Sequence, residues 1–204
     1  MTRRTVFFRD TRGASAAEFA LVLPLLLIVL FGTIDIGRYG WSLSQAQKAT
    51  QVGARWAAAT NFIPGSLRDY SFATSGGIAQ GTTVPLGNFP KITCDTTSGT
   101  LTCSCPGNLS FCGNAQTQDF TRLVTRMADI YPGLTAANVQ VTYAWSGLGF
   151  AGDPNGADVA PLVTVSLRNL QFAPFTAFVW GGQFNLPSFA YSLPMEDGSG
   201  TSSN

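Results

Sequence analysis

Arg12-Gly13-Ala14-Ser15-Ala16-Ala17-Glu18-Phe19 is the stretch whose reading decides the fold. It sets a small, cleavable backbone site and one acid at the mouth of sixteen uncharged, mostly apolar residues, Phe19 to Ile34. An ionisable group in such a segment costs on the order of 2.5–3.5 kcal/mol at the bilayer centre and less near the interface, so Glu18 is a functional candidate by default. Counted from Ala14 to Ile34, the span has 21 residues, roughly 31 Å as a helix, which matches a bilayer core.

Working outward, Arg3, Arg4, Arg9 and Arg12 precede the span and outnumber Arg38 and Lys48 just after it. Positive residues tend to stay on the cytoplasmic side, so the amino terminus is expected inside. A cleaved secretory signal is the competing reading, but no small-x-small exit follows Ile34. Instead Ile36, Tyr39, Leu43, Ala46, Thr50, Gly53 and Ala57 continue at spacings of three or four, the pattern of one helical face. One helix is therefore expected over 14–60, kinked or locally unwound at Pro24 and stopped near Pro64-Gly65. Ala49, Gly53 and Ala57 recur every fourth residue. Small side chains let another backbone approach closely, either a partner helix or the chain's own head, and both uses stay open. With Glu18, Asp35 and Arg38 they form the candidate assembly face.

Charged residues make up 11% of the 204, against about 25% in ordinary soluble domains. The net charge of +1 divides unevenly: residues 1–13 carry +3 and the remainder −2. No basic face for nucleic acid is expected there. The chain has no histidine, which removes the commonest general base near neutral pH and the commonest metal ligand. Neither an enzyme nor a metal or other cofactor is expected.

Cys94, Cys103, Cys105 and Cys112 fall within nineteen residues. Their even number suggests two disulfides and an oxidising compartment, whereas zinc would want C-x-x-C pairs or histidines. Three pairings are possible. The turn-like Asp95-Thr96-Thr97-Ser98-Gly99 favours a hairpin joining Cys94 to Cys103, which leaves Cys105 to close the Pro106-Gly107-Asn108 loop with Cys112.

Beyond residue 65, Phe120, Leu123, Val124, Met127 and Tyr131 recur at helical spacing, and Pro132-Gly133 ends the pattern. Val139, Val141 and Tyr143, then Val163, Val165 and Leu167, then Phe189, Tyr191 and Leu193 alternate with other residues as strands do. The expected fold is α+β: a long amino-terminal transmembrane helix continuing into a head of antiparallel sheet with one packed helix. Domain boundaries follow as a leader over 1–13, the helix over 14–60, a head over 61–196 with its disulfide loop at 94–112, and a flexible tail over 197–204. Gly147-Leu148-Gly149-Phe150-Ala151-Gly152 matches the spacing of a dinucleotide loop, but Asp153-Pro154-Asn155-Gly156 forces a turn where a helix must open. Asp153, Asn155 and Asp158 lack the pattern of a calcium loop. Phe172, Phe175, Phe178, Trp180 and Phe184 are dense enough for a surface patch, although burial under the sheet is the expected use of such large rings.

Gly13 followed by small residues and Glu18-Phe19, the apolar run, Asp35-Ile36-Gly37-Arg38 and Gly53-Ala54-Arg55 together resemble the TadE-like minor pseudopilins of tight-adherence (Tad) pilus systems, relatives of type IV pilins. The resemblance covers residues 12–60 and is looser beyond. It implies cleavage by a prepilin peptidase after the glycine, with Gly13, Ala14, Glu18 and Phe19 as the processing site and Ala14 as the new amino terminus. It also implies that Glu18, then the fifth residue, meets the terminal amine of a neighbouring subunit. The implied partners are the peptidase, other pilin or pseudopilin subunits and an inner-membrane assembly platform. The implied location is a single inner-membrane crossing with a periplasmic head. From the residues alone, Ser15 and Glu18 could instead form a helix-capping box, and the whole could be a membrane-tethered binding or adhesin module.

Overall fold

The computed structural model describes residues 13–97, 99–107, 109–196 and 198–201. Its first element, α1, is a helix of 46 residues over Ala14–Ala59. Short helices follow at α2 (Gly65–Arg68), α3 (Thr117–Ala128) and α4 (Ala177–Trp180). The strands are β1 (Ile92–Asp95), β2 (Thr102–Ser104), β3 (Val139–Ala144), β4 (Leu162–Leu167), β5 (Gln171–Phe172), β6 (Phe184–Asn185) and β7 (Phe189–Pro194). The α+β class expected from the sequence is the one observed. Pro24 lies inside α1 without interrupting it, so the expected local unwinding does not occur.

The described residues form two compact units, one of residues 13–41 with 172–184, the other of the described residues between 42 and 171 and between 185 and 201. In the second, five strands pair antiparallel in the order β2-β1-β3-β4-β7. Register places Cys94 opposite both Cys103 and Val141, and Val165 opposite both Val141 and Tyr191. Because strand side chains alternate, this register sends Val139, Val141, Tyr143, Val163, Val165 and Leu167 into the core. Helix α3 buries Phe120, Leu123 and Met127, and the rear of α1 buries Ala46, Ala49, Ala54, Ala57 and Ala58. Tyr143 is fully buried, and its hydroxyl accepts the Ile63 amide hydrogen at 3.1 Å. Burial pushes that phenol far above its ordinary pKa, so it stays neutral.

A second apolar cluster was not visible in the sequence. Tyr70, Phe72, Phe89 and Phe111, scattered among polar residues, converge with ring centroids 4.8–6.3 Å apart. The loop carrying the false dinucleotide motif is bound into this region. Asp158 accepts hydrogen bonds from the amides of Phe72 at 2.6 Å and Asp153 at 3.1 Å. Gly149 has φ +90°, and a Cβ there would meet the Asp158 carbonyl oxygen at 2.6 Å. The loop's glycines and acid are thereby used for packing and backbone hydrogen bonding.

Of the expected flexible tail over 197–204, residues 198–201 are described and are hydrogen-bonded through Gly200 just beyond the end of α1, while 197 and 202–204 lie outside the described residues. Glu196 donates its amide to the Ala58 carbonyl, while Asn61 exchanges hydrogen bonds with Gly200, each at 2.9 Å. Gly198 is buried, and a Cβ on it would meet Phe62. Polar backbone near the end of α1 finds its partners here, which holds residues 198–201 in place.

Candidate functional site

The front of α1 is the candidate processing and assembly site. Ala14 is the first residue of the helix and Glu18 stands one turn later. Glu18 is exposed, as are Phe19, Leu21, Val22, Leu25, Leu26, Val29 and Leu30. The apolar side chains cover the helix all round, which suits a segment solvated by lipid. It is also long and apolar enough to cross a membrane once. Among the described residues Glu18 makes no ion pair. Because the helix begins at Ala14, Ser15 lies inside its first turn, so Ser15 and Glu18 are not the N-cap and N3 of a capping box. Residues 1–12 of the expected leader lie outside the described residues.

Asp35 and Arg38 are placed differently from the sequence reading. Asp35 is 7% exposed despite its position on an otherwise exposed helix. Its carboxylate accepts hydrogen bonds from the amides of Phe175 at 2.7 Å and Thr176 at 2.8 Å, from the Thr176 hydroxyl at 2.9 Å and from Arg38 at 3.3 Å. Arg38 lies 4.1 Å from the Phe175 ring centroid and 5.3 Å from that of Phe172, and it donates to the Ala173 carbonyl at 3.4 Å. Three acceptor contacts to Phe175 and Thr176, together with an arginine over two rings, form a clamp on the turn before α4. Asp35 therefore does not belong to an open assembly face. Its lone pairs are occupied within the chain, while the Arg38 side chain stays 42% exposed.

The Ala49, Gly53 and Ala57 stripe is also turned inward. All three are buried, and a Cβ on Gly53 would stand 2.6 Å from Met127 Sδ of α3. Of the two uses left open, close approach to the chain's own head is the one realised. Small residues are needed because α3 packs where a larger side chain would stand.

The segment 172–184 also departs from expectation. Phe172 is buried, but Phe175, Phe178 and Phe184 are 55%, 72% and 60% exposed. The segment forms one unit with the front of α1, where Phe178 meets Phe31 edge-on at 6.1 Å and Phe172 meets Tyr39 at 5.5 Å. The sequence signal that could have found this is the absence of any charged residue from 169 to 195.

The disulfides are Cys94–Cys103 and Cys105–Cys112, the pairing favoured by the turn between the first two cysteines. The first crosslinks directly opposed residues of β1 and β2. Both close short loops, with Cys94 and Cys112 buried, a stabilising role worth about 2–3 kcal/mol each.

With this geometry in place, residues 13–55 match the family model described as TadE-like protein. The matched segment starts at the glycine of the expected cleavage site and includes Glu18, the apolar span, Asp35, Arg38, Ala49 and Gly53. The match covers the front of the chain and leaves residues 56–204 unmatched, so it is this segment that is similar to TadE-like proteins. No curated protein and no solved structure gives a significant match to the chain.

Proposed function

We propose that this chain is a minor pseudopilin, a non-enzymatic subunit that takes part in assembling a Tad/Flp-type pilus and its adhesion machinery. In this reading a prepilin peptidase cuts after Gly13, the chain crosses the inner membrane once, and its head lies in the periplasm. The front of α1 then packs among other pilin or pseudopilin subunits at the assembly platform. The observation that carries the reading is the front of α1: a helix beginning at the residue after Gly13, apolar all round with most of its large side chains exposed, and with one exposed acid a turn from its start.

The chemistry accounts for both residues. Gly13 presents backbone without a side chain, and among the described residues a Cβ there would meet nothing within 4 Å, which leaves room for a protease to seat it. Removing residues 1–13 removes a charge of +3 that holds the helix to the cytoplasmic surface. Cutting also creates an ammonium at Ala14, and a carboxylate such as Glu18 on a neighbour neutralises it in a low dielectric. A pair of this kind is expensive to form and severe to break, so it sets the register between subunits.

Mass spectrometry of the native membrane protein is expected to find a chain starting at Ala14, and Gly13→Leu is expected to abolish that species. Finding residues 1–13 on the mature protein in cells with an intact peptidase would overturn the reading. Glu18→Ala is expected to leave membrane insertion unchanged while weakening subunit association by up to about 3 kcal/mol, read as lost crosslinking to other pilin subunits. Undiminished crosslinking would remove Glu18 from the assembly contact.

A further inference from the structure

The excursion between β5 and β6 is the least expected feature of the molecule. It leaves and returns through a two-stranded ribbon, closed behind by a hydrogen bond from the Leu186 amide to the Leu170 carbonyl at 2.8 Å. Between these strands the chain makes one turn of helix, α4, ended by Gly181 and Gly182 at φ +70° and +97°. Such positive values are open to glycine and strained for other residues. A short charge-free excursion exposing Phe175, Phe178 and Phe184 is a poor match to water.

Its depth is fixed by what it touches. Phe178 packs on Phe31, three residues before Ile34, the last residue of the 21-residue span. At about 1.5 Å per residue, Phe31 lies within about 5 Å of the point where the span ends. Asp35 and Arg38, one turn further on, hold Ala173, Phe175 and Thr176. Exposed Ile36 and Trp41 continue the apolar surface on the helix itself. Trp41 just beyond the span's end is of the residue type that marks a membrane interface, and exposed phenylalanines beside it present the apolar face that an interfacial segment buries at the headgroup–acyl boundary.

We propose that residues 173–183 are an interfacial wedge, held on α1 by Asp35 and Arg38, whose exposed phenylalanines enter the leaflet from which the helix emerges. The occupant of this surface is the lipid of the same bilayer. This inference rests on the membrane-crossing part of the proposed function, since without a bilayer around Phe31 nothing sets the depth of Phe178. The wedge gives the helix a lateral foot, so that the subunit resists sliding and rotation until extraction, and leaving the membrane then requires the foot to leave too.

The test places the photoreactive residue p-benzoylphenylalanine at Phe178, at Leu26 in the span, or at exposed Leu86 in the head, each in the full chain. The protein is irradiated in vesicles of phosphatidylethanolamine and phosphatidylglycerol and in native membranes. Lipid adducts at Phe178 and Leu26 but not at Leu86 are expected, read as a mass shift of the whole chain. Adducts at Leu26 alone overturn the wedge and leave the span intact. Adducts at neither position overturn the span reading and the wedge with it. Crosslinking of Phe178 to a second polypeptide, without lipid adducts, overturns the wedge in favour of a protein partner. Asp35→Ala in the Phe178-labelled chain is expected to reduce the lipid adduct while leaving Leu26 labelling unchanged. An unchanged Phe178 adduct would remove Asp35 as the positioning residue.

Discussion

The two halves of α1 are one continuous helix with two different surroundings. From Ala14 to about Trp41 most of its large apolar side chains stand exposed, whereas from Ala46 to Ala58 its small ones are mostly buried. The difference lies in side-chain size. Leu, Val, Ile and Phe at the front present area to a solvent that accepts it, while Ala and Gly at the rear give that area up so that α3 can come close. A helix can thus be apolar along its whole length for two unrelated reasons.

Glycine substitutions break this comparison most sharply. Gly53→Leu drives a side chain into Met127, and the head is expected to lose about 1–3 kcal/mol, read as a lower denaturation midpoint for the loss of tertiary signal. A midpoint equal to the parent's would show that the rear of the helix is not packed as described. Acid sharpens the contrast from the side of the head. Burial alone would raise the pKa of Asp95, but hydrogen bonds from Thr97 and Gln140 and the Arg168 ion pair at 2.9 Å hold it down to about 2. The folded carboxylate stays ionised where the unfolded one, near 3.8, takes up a proton. Stability from this group is therefore fully present above pH 4 and drains away as pH falls towards 2, about 2 kcal/mol in all. Asp95→Asn should flatten that acid limb in a pH series of unfolding curves, and an unaltered limb would place the sensitivity elsewhere. The smallest effect is expected at the front. A Cβ on Gly37 meets nothing within 4 Å, so Gly37→Ala should leave packing untouched and stabilise the helix by up to about 1 kcal/mol. A loss of stability there as large as at Gly53 would erase the distinction between the halves.

Much of this was legible before the fold was seen. The rear of the long helix, α3 and the strands β3 and β4 follow from periodicity, because burial on one face imposes a repeat of 3.6 or 2, whereas the front of the helix follows from its apolar length and β7 from the alternation of Phe189, Tyr191 and Leu193 alone. The turn between Cys94 and Cys103 pointed to their pairing. The aromatic cluster of Tyr70, Phe72, Phe89 and Phe111 was illegible because each ring comes alone from a loop with no period of its own. Asp35 misled for a related reason. An Asp and an Arg three residues apart on a helix look outward-facing, and only a segment 140 residues later shows what covers the acid.

The amino-acid order alone determined that this chain carries a bilayer-length helix behind a glycine and an acid, because length, apolarity and charge asymmetry are properties of a local stretch. Only the tertiary structure decided which way the helix's small and charged residues face. It turned Ala49, Gly53 and Ala57 onto the chain's own head and gave Asp35 to the turn at Phe175 and Thr176. Those choices rest on contacts between residues far apart in sequence, which no local pattern encodes.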